Sequence, residues 1–315
     1  MANCGERLSE KKWGVFHHYL QKVVCNPTLP HNKGVGEIAW SDAVAKFDVE
    51  KIAYSLHKMN VGYYFITLMQ GDKYMLAPNE TYDKIAGTKP GEACATRDLP
   101  AELIKALSKY DIDLGLYYTV DGPYLDPVIG GKFGFLPPRK DVSEEYCRKW
   151  AAVLEEYALR YGDGVKAWWI DGGLKNEFGF NDHLFSIFYD AVKKGNPSAA
   201  ATFNGGVAFW PFCKNYIDED FTAGEANSFA IRAQNKYNDG SLTHIFAPMG
   251  WPAVDYDHNS AWCNSGMRET KEYLASYIRQ FNGKGGIVTI DTMVHIDGSF
   301  DPEQEAALRF IGQNI

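Results

Sequence analysis

None of the six cysteines (Cys4, Cys25, Cys94, Cys147, Cys213, Cys263) forms a C-x-x-C pair. Zinc-ribbon and thioredoxin-like spacings are thereby excluded, and buried thiols are the expected state. No apolar run approaches the roughly 20 residues that a membrane span needs. The opening MANCGERLSEKKWG has no hydrophobic stretch of signal-peptide type. Secretion is not expected from these residues, although a chain whose signal had been removed would read the same. Basic charge is scarce too: 32 Lys and Arg stand against 40 Asp and Glu for a net charge of -8, with a pI near 5.5. The cations are scattered among acids, so neither a nucleic-acid nor a membrane partner is expected. There is no internal repeat, low-complexity tract, linker or phosphate-cradling glycine motif. A single domain over residues 1 to 315 is the economical reading.

What is present is apolar and aromatic. Hydrophobic residues make up 45% of the chain, and eight tryptophans with nineteen tyrosines exceed what a core alone requires, a mild pointer to sugar stacking. Eight apolar runs have strand length: 13 to 20, 61 to 69, 112 to 120, 165 to 172, 198 to 205, 221 to 227, 245 to 251 and 285 to 292. Their near-continuous hydrophobicity suits strands covered on both faces. Helical patterns alternate with them. Trp150, Val153, Leu154 and Tyr157 form one stripe, and Tyr273, Leu274, Tyr277, Ile278 and Phe281 another. Asp301 with Pro302 and Gln304 reads as a capping box, and Asp98 with Pro100 is a similar start. The pattern predicts an α/β fold, a single (β/α)8 TIM-like barrel, with a doubly wound open sheet as the runner-up. The fifth and sixth crossovers, around VAFWPFCKNY and SFAIRAQNKY, have the weakest helical signals.

In a barrel, chemistry sits at the C-terminal ends of the strands. Those ends carry His17 and His18; Gln70 and Asp72; Tyr117, Tyr118 and Asp121; Asp171; Asn204; Glu225 and Asn227; Trp251; and Asp291. A rim of carboxylates and aromatics suits glycoside hydrolysis, in which two carboxyl groups flank the scissile bond. The run VKAWWIDGG places Asp171 at the tip of the fourth strand as a candidate nucleophile. Trp168 and Trp169 would form an apolar wall, one of them against a sugar face. Adjacent strand residues point to opposite faces, so His17 and His18 cannot share one metal ion without distortion. One of the pair should face the barrel interior or mouth and the other the helix layer as a satisfied core residue. No metal or cofactor is expected.

Several stretches resemble the catalytic barrel of glycoside hydrolase family 29, the α-L-fucosidases. They are KWGVFHHYL, FDVEKIAYSLHKMNVGYYFIT, RDLPAELIKALSKYDIDLGLYYTV, WWIDGG and GGIVTIDTMVHIDGSFDPEQEAALRFIGQNI, five segments in the family's order. The resemblance implies a sugar-binding role for His18 and the nucleophile's role for Asp171. It suggests that Glu37 and Trp40 line the pocket from the first loop. DFTAGEAN is similar to the family stretch that carries a glutamate, and Glu225 is the candidate acid/base. Glu37, Glu177, Asp255 and Asp257 compete for that role. The chain departs from the family after strand two, where MQGDKY puts Gln70 and Gly71 in place of two histidines and only Asp72 matches. It departs again after Asn204, where Gly205 and Gly206 stand in place of an arginine. No counterpart of the family's C-terminal β-sandwich is expected among these residues.

The expected site therefore comprises Asp171 and Glu225 as catalytic groups. The expected sugar-binding set is His18, Glu37, Trp40, Gln70, Asp72, Tyr117, Tyr118, Trp169, Asn204 and Trp251. The expected activity is that of a retaining, exo-acting α-glycosidase on a terminal fucose or related sugar, its partner a carbohydrate. A carbohydrate-binding barrel that has lost catalysis is the alternative, because the contacts missing around Gln70 and Asn204 are those that would discriminate between sugars.

Overall fold

The structure is a computed structural model and describes residues 3–27, 29, 32, 36–252 and 260–315. Seven strands form one parallel sheet. They are β1 (Trp13–His17), β2 (Tyr63–Thr67), β3 (Asp113–Thr119), β4 (Val165–Asp171), β5 (Ala200–Phe203), β8 (His244–Pro248) and β9 (Ile287–Thr292), in the spatial order β5-β4-β3-β2-β1-β9-β8. β6 (Tyr237–Asn238) and β7 (Ser241–Leu242) form a small antiparallel hairpin. Helices separate successive main strands except between β5 and β8, which fits the expected α/β class. No described helix is long and apolar enough to cross a membrane.

The sheet curls, and one segment ties its two edges together. Asp220 donates its backbone N–H to Ala201 of β5 at 2.8 Å, while Thr222 and Ala226 donate to Leu242 and Phe246 at 2.9 Å each. Parallel bridges join Phe221 to Leu242 and Glu225 to Phe246. The sixth apolar run thus lies where a strand was expected, but it is not a regular strand. Gly224 has φ +69°, and a Cβ there would lie 2.1 Å from the carbonyl oxygen of His244, so the chain kinks against its neighbour. The two weak crossovers are irregular: neither 205–220 nor 226–243 contains a helix.

The absence of alternation in the strands has a direct cause, because both faces are buried in separate apolar clusters. Val15, Tyr64, Leu116, Tyr118, Trp168 and Ile170 pack outward beneath the helices. Phe16, Tyr63, Phe65, Tyr117, Trp169 and Phe246 fill the interior. Room for these large inner rings comes from glycine. A Cβ at Gly14 would lie 2.1 Å from the Tyr63 ring, and one at Gly115 would lie 2.3 Å from the Phe65 ring.

The helix start expected at Asp98 is present, and two more helices are capped in the same way. Ser143, Thr270 and Asp98 cap their helices by accepting from Tyr146, Tyr273 and Ala101 backbone N–H groups. Of the second predicted stripe, Leu274, Tyr277, Ile278 and Phe281 are buried and Tyr273 only partly so. The expected capping box at Asp301 is half present. Asp301 accepts from Glu303 and Gln304, but the Gln304 side chain turns inward. It accepts from Met293 N–H and donates to the carbonyls of Asn264 and Gly266, tying the exit of β9 to a neighbouring loop. Cys25, Cys94, Cys147 and Cys263 are buried as expected, whereas Cys4 is half-buried and Cys213 exposed, both in irregular segments.

Gly115→Ala is expected to destabilise the fold by about 1 to 3 kcal/mol, since the added methyl meets a packed ring. Gly131→Ala, on helix Pro127–Phe133, meets nothing nearer than 3.7 Å and is expected to be neutral or stabilising by up to about 1 kcal/mol. Urea midpoints of the two variants check this; equal effects would contradict the interior packing.

Candidate active site

Several strands continue their inward columns one step past the packed interior, and there the residues become polar. In β4 Ala167 and Trp169 face inward, and Asp171 is next on that face. In β1 the column of Gly14 and Phe16 leads to His18; in β9 that of Ile287 and Thr289 leads to Asp291. Asp171 and His18 border a cavity of about 160 Å³, with Asp291 hydrogen-bonded to His18. His18, Gln70, Tyr117, Trp169, Asp171 and Glu225 line it, together with Lys22, Phe246, Trp262 and Cys263.

The two candidate catalytic carboxylates share one partner. The Asn204 side-chain amide donates to Asp171 Oδ1 at 2.8 Å and to Glu225 Oε2 at 2.6 Å. Its own oxygen accepts from Gly206 N–H at 3.2 Å, which fixes the direction of the amide. The bonded oxygens of the two carboxylates therefore lie no farther apart than those two bonds laid end to end. The Tyr117 hydroxyl donates to Asp171 Oδ2 and accepts from Gln70 Nε2 at 3.0 Å. Burial, and then the adjacent Asp171 charge, push the Tyr117 pKa well above that of an ordinary phenol, so the hydroxyl keeps its proton and remains a donor.

Glu225 is pushed up to about 7, first by burial and then by the Asp171 charge, with the Asn204 bond acting in the opposite direction. Asp121 lies behind the site and is also pushed up to about 7. Burial is the main cause, opposed by Thr119 and raised further by Asp171. Arg139 pairs with Asp121 at 2.5 Å and stacks over the Tyr124 ring. Gly172, at φ +77°, lets the turn after Asp171 pass close to Asp121, where a Cβ would come within 2.9 Å of the carboxyl carbon.

The two histidines separate as strand alternation requires. His18 bonds Asp291 Oδ1 through Nδ1 at 2.6 Å, and the other Asp291 oxygen accepts from Cys263 N–H at 2.6 Å. With the carboxylate as acceptor, the hydrogen is on Nδ1, and Nε2 is left for the cavity that His18 lines. His17 points outward. It bonds the Tyr64 hydroxyl at 2.9 Å, and burial holds it neutral, its pKa lowered to about 3. The expectation that it would be a fully satisfied core residue needs correction, because its buried Nε2 has no hydrogen-bond partner among the described residues.

Several expected sugar-binding residues lie elsewhere. Tyr118 is buried on the outer face, stacked on Trp150 with its hydroxyl on the Trp150 carbonyl. Trp40 is buried, with its indole N–H on the Met75 carbonyl at 2.7 Å. Asp72 accepts from Lys73 N–H and does not line the cavity. Trp251 is 57% exposed outside the cavity. Glu37 is exposed on a neighbouring cavity that shares Lys22 with this one. Glu177 is exposed on a short helix away from it. Asp255 and Asp257 lie outside the described residues. Sequence reasoning missed Lys22, Phe246, Trp262 and Cys263 as lining residues. It noted Asp291 only as a strand end.

No protein-family model and no curated protein sequence matches this chain. Solved structures do resemble it. An endo-fucoidan hydrolase of glycoside hydrolase family 107 is similar over 98% of this chain and 54% of its own length, at 14% identity and a TM-score of 0.71. The chain thus spans about half the length of that hydrolase. An α-L-fucosidase of glycoside hydrolase family 29 from Bacteroides thetaiotaomicron is similar over 99% of this chain and 73% of its own, at 18% identity and a TM-score of 0.67. The α-L-fucosidase AlfC from Lactobacillus casei, in complex with α-L-fucose, is similar over 98% and 97%, at 16% identity and a TM-score of 0.66. At these identities the likeness establishes a shared fold. The three described are glycoside hydrolases, one an endo-fucoidan hydrolase and two of them α-L-fucosidases.

Raising the folded-state pKa of Glu225 has a consequence for stability. Between its ordinary 4.5 and about 7 the folded protein holds a proton that the unfolded chain has released, so stability falls as pH rises through that window. Glu225→Gln lacks this loss. Urea midpoints are expected to show the variant gaining on the parent protein from pH 4.5 to 7.5; parallel pH profiles would contradict the assignment.

Proposed function

We propose that this protein is a glycoside hydrolase, a retaining α-glycosidase of the fucosidase type and a divergent relative of family 29. In this reading segment 221–227 completes the curled sheet as the remaining stave of a (β/α)8 barrel. The observation that carries the proposal is the Asn204 amide joined to both carboxylates. A retaining pair works at about 5 to 5.5 Å and an inverting pair at about 6.5 to 9.5 Å. The bound on the bonded oxygens supports the first.

The chemistry assigns one role to each group. Asp171 attacks the anomeric carbon as the glycosidic C–O bond breaks, and Glu225 passes its proton to the departing oxygen. In the second step Glu225 removes a proton from water, the water oxygen bonds to the anomeric carbon, and the Asp171 ester bond breaks. A carboxyl group titrating near 7 still holds much of its proton at neutral pH, as the acid role requires. Its Oε2 accepts from Asn204, so Oε1 is the oxygen that carries the proton. Tyr117 and Asn204 hold the two Asp171 oxygens and limit its rotation.

His18, oriented by Asp291, is the sugar-hydroxyl ligand of this reading, and Trp169 is its apolar wall. Trp169 is pinned by its indole N–H on the Ala223 carbonyl at 3.0 Å and by stacking on Tyr117. The cavity is smaller than the roughly 300 to 1,000 Å³ of drug-sized pockets, which favours one terminal sugar ring and exo action. Gln70 has a structural duty at the place where the resembling family keeps a histidine. Its amide holds Tyr117, so the substrate loses a contact while the nucleophile keeps its support. Fucose is the first sugar to test, with related deoxy and galacto-configured sugars next.

Asp171→Asn is expected to lower turnover of an aryl α-L-fucoside at least about a thousandfold. In kcat/KM the limb that falls at high pH is expected near pH 7 in the parent protein and absent in Glu225→Gln. If no aryl glycoside of a broad panel is turned over while a sugar still binds, the lapsed binding barrel becomes the correct description.

A further inference from the structure

Tyr117 and Asn204 hold the two Asp171 oxygens, but the turn that carries Asp171 has a support of its own behind the cavity. Thr119 of β3 stands opposite Asp171 of β4 in the parallel register, and Val120 N–H donates to the Asp171 carbonyl at 2.8 Å. The turn then leans on Asp121, whose carboxyl carbon lies 2.9 Å from where a Cβ on Gly172 would stand. Asp121 is buried, and both of its oxygens are taken. The Thr119 hydroxyl donates to Oδ1, and Arg139 Nη1 donates to Oδ2 at 2.5 Å. A buried carboxylate held at both oxygens cannot turn freely, so it gives the Gly172 turn a fixed surface.

Arg139 is itself clamped. Its guanidinium lies over the Tyr124 ring at 3.7 Å and over the Phe178 ring at 4.4 Å. Tyr124 belongs to the loop after β3, and Phe178 ends the short helix Lys175–Phe178 that follows β4, so one side chain bridges two loops. The Arg139 backbone stands at φ +49°, a left-handed conformation that a residue with a side chain rarely adopts. Nearby, Val142 N–H donates to the Phe178 carbonyl at 2.9 Å. The same loop is tied on its other side to the loop after β2: Leu125 N–H donates to the Gly71 carbonyl at 2.8 Å, and Lys73 pairs with Asp126 at 3.0 Å. Gly71 follows Gln70, whose amide holds Tyr117. We infer that Arg139 is a positioning residue for Asp171, acting through Asp121 on the Gly172 turn. The inference rests on the nucleophile's role proposed for Asp171 above. Neither Arg139 nor Asp121 is among the residues lining the catalytic cavity, so the pair acts at one remove from the substrate. Its charge matters as well as its shape, because the guanidinium offsets the repulsion between Asp121 and Asp171.

The test compares Arg139→Ala and Arg139→Lys with the parent protein on an aryl α-L-fucoside and on α-L-fucosyl fluoride. Fluoride departs without the Glu225 proton, whereas both substrates need the nucleophile. The expected result for Arg139→Ala is a kcat lower by about ten- to a hundredfold on both substrates, the scale of a small misplacement of a reacting group, with KM within about twofold. Millimolar guanidinium chloride is expected to restore part of the loss, and sodium chloride at the same ionic strength none of it. Arg139→Lys keeps the charge but not the planar fork and is expected to fall between the parent protein and the alanine variant. If the alanine variant does not fold, the lysine variant is read by the same split between kcat and KM. No loss, a loss carried by KM alone, a loss confined to the aryl fucoside, or a loss that guanidinium leaves unchanged would overturn the inference while leaving the reaction intact. If the parent protein turns over neither substrate, the reaction reading fails and a crystal structure of Arg139→Ala decides the positioning. Asp171 displaced from the Tyr117 hydroxyl or the Asn204 amide supports it; Asp171 unmoved overturns it.

Discussion

One side-chain amide organises the candidate site. Asn204 has two N–H donors and gives one to each carboxylate, so Asp171 and Glu225 are held in register by a single rigid group. Two carboxylates brought this close in a partly buried cavity cannot both carry full charge cheaply. The cost falls on Glu225, which retains its proton to about pH 7. Difference in role thus follows from difference in surroundings. Asp171 receives donors on both oxygens, from Asn204 and Tyr117, whereas Glu225 receives a bond from Asn204 and is otherwise shaped by burial.

The fold supplies this arrangement through strand parity. Inward columns of large rings stop one residue short of the rim, and on the columns of β1, β4 and β9 the next residue is His18, Asp171 or Asp291. Glycines at 14 and 115 keep the interior from overfilling, and so allow the rings beneath the site to pack as a rigid floor. Above that floor, groups around the rim act in pairs: His18 is oriented by Asp291, Tyr117 by Gln70, and Asp121 is paired with Arg139. Each pairing fixes a side chain before a ligand arrives, the condition for catalysis by preorganised groups.

Much of this was legible in the sequence. Apolar runs with no alternation gave the buried parallel strands, and Asp171 stood out because it is the one charge in the stretch from Ala167 to Gly172. Parity was the harder part. Tyr117 and Tyr118 are both strand-end tyrosines, and only the phase set by Trp169 and Asp171 on the adjoining strand separates the cavity residue from the one packed on Trp150. The same phase would have selected Asp291 through Thr289. Lys22, Trp262 and Cys263 come from loops whose path depends on tertiary contacts, such as the Asp291 bond to Cys263 N–H, and no local pattern announces them. Trp40 came from resemblance alone. In this chain its indole nitrogen is committed to a backbone carbonyl, so it belongs to the core.

The central claim is that the Asn204-linked pair acts by double displacement at the anomeric carbon. Proton NMR of an aryl α-L-fucoside reaction, recorded before mutarotation equilibrates the product, reads the outcome directly. The account predicts that the first fucose released is the α anomer, as in the substrate. Release of the β anomer first would contradict it, because that result requires a single displacement by water and leaves Asp171 without the nucleophile's role.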